Sequence, residues 1–60
     1  MVEIRTNLSI KGWFEVIFNG QVVEEVQGRN KALRIAREVA KKNNVQHIVL
    51  EGKVIELEED

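Results

Sequence analysis

Few side chains in this sequence can do covalent chemistry. There is one His (His47), one Ser (Ser9), one Thr (Thr6) and one Asp (Asp60), with no Cys and no Tyr. Nucleophilic catalysis would need Ser9 activated by His47 and a glutamate. No strand–turn–helix elbow surrounds Ser9 to expose and strain it. The missing cysteines exclude disulfides and zinc–thiolate sites. His47 falls opposite Glu56 if the Glu51-Gly52 loop has two residues, but one His and one Glu are too few for a structural metal, so ordinary cross-strand packing is the reading. Glu15 and Glu24 face each other if Asn19-Gly20 also makes a two-residue loop, the disposition of an acid–base pair. Like charges directly opposite are destabilising, so such a pair needs Arg5, Lys11 or a partner's cation beside it; two solvated glutamates are the plainer reading. Gly12, Gly20, Gly28 and Gly52 are dispersed as turn residues and form no phosphate loop. The expectation is a protein that is not an enzyme and has no catalytic residues, cofactor, metal or small-molecule substrate.

Charge carries more information than catalysis does. Nine basic and ten acidic residues give a formal net charge of −1, but they are not mixed. Residues 29–42 hold Arg29, Lys31, Arg34, Arg37, Lys41 and Lys42 against Glu38 alone, a local +5. A basic helix face is the minimum footprint for nucleic acid, with Arg29, Arg34, Arg37 and Lys41 as its contacts. Against that stand a pI near 5.8, the absence of a recognisable nucleic-acid module, and a single Trp13, too little for a stacking platform. Nucleic-acid binding is therefore the alternative, and a solvated helix back is the simpler reading.

The elements that position these residues follow from periodicity. Val2, Ile4, Thr6, Leu8 and Ile10 alternate with polar residues, which predicts a half-buried strand over 2–10. Lys11-Gly12 turns the chain into a second strand, Trp13 to Phe18. Asn19-Gly20 is a strong hairpin signal, and Gln21 to Val26 returns. From Asn30 to Lys42 the apolar residues Ala32, Leu33, Ile35, Ala36, Val39 and Ala40 follow helical spacing. Asn30 is the expected N-cap, and Asn43 or Asn44 the left-handed stop. Val45 to Leu50 and Lys53 to Leu57 form a second hairpin. The fold class is α+β: a single domain over 1–57, order βββαββ, mainly antiparallel, with one amphipathic helix on one face of the sheet. Glu58-Glu59-Asp60 is expected to be an acidic, frayed tail.

Sixty residues make a marginal core, which small domains supplement with disulfides, metals or association. Only association remains open here. Nine Val and six Ile give more β-branched surface than one helix covers. With two-residue loops, Ile17 faces Val22 and Trp13 faces Val26, while Phe14, Val16, Phe18 and Val23 share the other face. The uncovered face would then expose Trp13, Ile17, Val22 and Val26, a patch of interaction-surface size. The expectation is a homodimer, sheet on sheet or edge on edge. No apolar run reaches membrane-spanning length and no signal-peptide pattern follows Met1, so a cytoplasmic location is expected.

Two resemblances bear on this reading. Trp13-Phe14-Glu15-Val16, Asn30-Lys31-Ala32, Ala36-Arg37-Glu38-Val39-Ala40-Lys41-Lys42 and Ile48-Val49-Leu50-Glu51-Gly52-Lys53-Val54-Ile55 resemble a group of small bacterial and phage domains of unknown function. That group shares a Trp-led strand pair, an Ala-rich helix with a basic end and a strand–Gly–strand finish. Asn30-Lys31-Ala32 departs from it, since Thr and acids are commoner there. The resemblance implies the fold and no functional residues. The placement of hairpin glycines, the mixed surface charge and the absence of Pro and Cys also resemble idealised, designed α/β miniproteins, which implies no biological function.

Overall fold

Alternating β-branched residues pair into a sheet, and the one stretch with helical period packs across it. In a computed structural model, which describes residues 1–57, the order is β1 (Val2–Thr6), β2 (Trp13–Phe18), β3 (Gln21–Gln27), α1 (Arg29–Lys42), β4 (His47–Leu50) and β5 (Lys53–Glu56). The expected acidic tail at 58–60 lies outside the described residues. The strands form one mixed sheet in the order β3-β2-β1-β4-β5. Neighbours are antiparallel except β1 and β4, which run parallel with Glu3 opposite Val49 and Ile4 opposite Leu50. The helix supplies the crossover that such a parallel pair requires.

Both hairpins use two-residue loops. Asn19 and Gly20 have φ of 50° and 83°, and Glu51 and Gly52 have 49° and 85°. Two successive positive φ values are the type I′ geometry whose twist matches that of the strands. The register beyond the first hairpin differs from expectation. Ile17 does face Val22, but a bulge at Val23 then shifts the ladder, so Val16 meets Glu24, Glu15 meets Glu25, Phe14 meets Val26 and Trp13 meets Gln27. One extra residue moves everything beyond it to the opposite face. Val26 is consequently 5% exposed and part of the helix-side core, not of the open face.

The first strand ends at Thr6 rather than Ile10. Asn7 diverts the chain: its Oδ1 accepts the amides of Ser9 (2.8 Å) and Ile10 (3.0 Å), a local turn that competes with the ladder. Leu8 is left fully exposed, at 100%. At its start the helix is capped by Gly28 and not Asn30, with no side-chain cap hydrogen bond. Gly28 has φ 96° and ψ 135°, a region open essentially to glycine alone, and its carbonyl accepts the Ala32 amide at 3.1 Å. At the other end Asn44, with φ 57°, is the left-handed residue. The Val45 amide bonds the Ala40 carbonyl (2.8 Å) and the Asn44 amide the Lys41 carbonyl (3.3 Å), which is the Schellman pattern.

Ala32, Ala36 and Ala40 recur every fourth residue and are fully buried. Their small side chains let the helix lie close on Val2, Ile4, Val16, Val26 and Ile48, with Phe14, Phe18, Leu50 and Ile55 around the rim. The core is thin: its largest fully buried side chains are Ile4, Ile48, Val2 and Val16. Among the described residues no helix is long and apolar enough to cross a membrane.

Candidate functional site

The helix covers one face of the sheet, and pleating sends alternate residues to the other. On that uncovered face the strand registers line up one row across all five strands: Val22, Ile17, Glu3, Val49 and Val54. Beside it runs Glu25, Glu15 and Arg5, and beyond that Gln27 and Trp13. His47 and Glu56 pair beyond the other side of the row, as the two-residue loop requires. Val22 is 50% and Val54 65% exposed, while Trp13 and Val49 are half-buried.

The four residues expected to form an association patch are divided between the two faces. Trp13, Ile17 and Val22 lie on the open face and Val26 does not. Ile17 is only 3% exposed although no helix covers it. Neighbours on its own face close over it, with Glu3 and Val22 directly opposite. Val49 and Val54 replace Val26 as apolar members. Their pairing with each other follows from the hairpin, but their position beside Ile17 depends on the parallel β1–β4 contact, which leaves no local signature.

The Glu15–Glu24 pair does not form, because the bulge sets Glu15 against Glu25 instead. On its other side Glu15 faces Arg5, whose guanidinium also donates to Glu3 Oε2 at 3.3 Å. The cation that such a carboxylate cluster needs is therefore present. The face carries Glu3, Glu15, Glu25 and Glu56 against Arg5, a net −3 with His47 neutral. Ser9 lies in the β1–β2 loop and His47 at the start of β4. Because β4 runs parallel to β1, these two residues sit at opposite ends of the sheet. No group of three or more His, Cys, Asp or Glu suited to a metal occurs among the described residues.

The opposite side of the molecule is the helix back. Lys31, Arg34, Arg37, Lys41 and Lys42 are all exposed there, and a shallow open hollow is lined by Asn30, Lys31 and Arg34. Arg29 behaves differently. At 100° per residue it projects to the side of Ala36 and Ala40, toward the sheet, where its guanidinium donates to Glu51 Oε2 at 3.0 Å. The other oxygen of Glu51 accepts the Thr6 hydroxyl at 2.8 Å. Glu51 thereby joins the end of β1, the start of the helix and the β4–β5 turn. With +5 over residues 29–42 in a chain of net −1, the rest of the molecule carries −6. No protein-family model matches this chain, and neither does any curated protein or solved structure.

Proposed function

We propose that the protein is a non-enzymatic interaction module that self-associates face to face through its uncovered sheet. The observation that carries this reading is the exposure of Val22 (50%) and Val54 (65%) at the two ends of a row that Val49 continues, with half-buried Trp13 to one side of it. A second copy applied by a two-fold axis covers that row on both molecules at once, and gives a thin core the extra apolar burial it lacks.

The sheet edges are poorer surfaces. β3 is blunted by the Val23 bulge and by Glu24 and Glu25, devices that discourage edge pairing. β5 has only four residues. The helix back has opposite charge to the sheet face, so a head-to-tail stack is the electrostatic competitor, but it has no exposed large apolar side chain to bury.

Salt separates the two arrangements. Face-to-face pairing brings −3 against −3, so it strengthens as salt screens the repulsion. A head-to-tail stack weakens with salt. Light scattering coupled to size exclusion is expected to show about twice the 6.9 kDa chain mass at high micromolar concentration, more completely at 0.5 M salt than at 0.05 M. The double substitution Val22→Ser with Val54→Ser changes no charge and is expected to weaken dimerisation at least tenfold. A 6.9 kDa species at every concentration overturns the proposal, and so does association that dissolves as salt is added.

A further inference from the structure

We infer that the back of the helix is a docking surface for the phosphate backbone of double-stranded DNA. The claim is independent of self-association, since it uses the opposite side of the molecule.

A solvated helix back usually mixes signs, because an acid four residues before a base stabilises the helix and like charges at that spacing destabilise it. This helix has one acid, Glu38, placed four residues before Lys42, three before Lys41 and four after Arg34, and otherwise sets bases beside bases. Lys31 and Arg34, Arg34 and Arg37, and Arg37 and Lys41 are like-charged neighbours at three- and four-residue spacing, with Glu38 the only acid on the helix. Among the described residues none of Lys31, Arg34, Arg37, Lys41 or Lys42 is in an ion pair; the only two pairs are Arg5–Glu3 and Arg29–Glu51. Lys41 and Lys42 suit the negative end of the helix dipole, but Lys31, Arg34 and Arg37 form a like-charged row upstream of it whose mutual repulsion opposes the helix.

The cations form one ridge about 16 Å long from Lys31 to Lys42 at 1.5 Å rise per residue. Charge complementarity selects a polyanion, and the acidic remainder of the chain restricts its approach to this face. The ridge selects duplex over single strand, because single strands are held largely by stacking on aromatic side chains. The helix has no aromatic residue, Phe14 and Phe18 pack beneath it, and Trp13 lies on the far side of the sheet. Arg34, Arg37, Lys41 and Lys31 are the principal contacts; Arg29, tied to Glu51, is not one of them.

The test is a fluorescence-anisotropy titration of a labelled 16-base-pair duplex of mixed sequence. With four to five phosphate contacts, affinity is expected to fall on the order of 10²-fold between 50 and 200 mM salt. Arg34→Gln with Arg37→Gln is expected to lower the slope of log K against log salt by about 2, with unchanged helical circular dichroism. Val22→Ser with Val54→Ser, which addresses only the sheet face, is expected to retain single-site affinity for the duplex. No duplex binding at 20 mM salt overturns the inference. Equal affinity for a 16-nucleotide single strand also overturns it, as does binding to phosphatidylserine vesicles without binding to the duplex.

Discussion

At Gly28 a single backbone position decides where the helix begins. Its φ of 96° and ψ of 135° are strained for any residue with a Cβ. A Cβ built there meets nothing within 4 Å, so a substitution reports backbone strain and no clash. Gly28→Ala is expected to lower unfolding free energy by about 2 kcal/mol, measured by urea titration. Gly20→Asn, in a turn position that Asn also adopts, should cost less than half of that. The reverse change operates at Asn44, whose φ of 57° is less favourable for Asn than for Gly; Asn44→Gly is expected to add about 0.5–1 kcal/mol. Type I′ loops and the Asn stop could be read from the sequence because each is a local demand on one or two residues. Asn7 shows the limit of that reading. Period-2 alternation continues through Leu8 and Ile10, but one side-chain oxygen taking two amides ends the strand.

Among the elements, the helix has one face packed on the sheet and one exposed and basic. Ala36 has no room against the sheet, so Ala36→Leu is expected to destabilise by about 1–3 kcal/mol through overpacking. On the back, Arg37→Glu sets an acid four residues before Lys41 and three after Arg34. It is expected to stabilise by about 0.2–0.5 kcal/mol per pair while weakening duplex binding at low salt and lowering its salt slope. A variant that gains thermal stability and binds DNA less tightly through the same substitution separates the two faces of one helix. The elements, their order and the covering of one sheet face were legible from periodicity, since apolar spacing of 2 or 3.6 residues is written into each segment. The bulge at Val23 was not. Val22 and Val23 are alike to either face, and only the preference of Val26 for the space beneath Ala32 and Ala36 settles which residue the ladder skips.

For the whole molecule the consequence is polarity. A basic helix lies on one side and an acidic, partly apolar sheet on the other, although the chain is nearly neutral. The two proposals predict opposite effects of salt: sheet pairing is expected to strengthen as salt is added and duplex binding to weaken. If folding is coupled to dimerisation, the thermal midpoint rises with protein concentration. Calorimetry at 20 and 500 μM in high salt is expected to show that rise in the parent and to lose it in Val22→Ser with Val54→Ser. A midpoint independent of concentration in the parent would show that the monomer supplies its own stability. The pI averages this charge separation away; the sequence shows it as a basic segment over 29–42, and the fold sets that segment opposite the acidic sheet face.

The place of β1 also leaves the sheet dependent on its last hairpin. This strand lies in the middle of the sheet between β2 and β4. Its parallel partner Val49 is 46 positions beyond Glu3. Without β4, the β1–β3 meander carries Val2 and Ile4 beside an unpaired ladder, an open template for other chains. Docking of the β4–β5 hairpin covers that edge. A released fragment ending at Lys42 should be far more prone to aggregate than the full chain, because what it lacks is the cover of its own first strand.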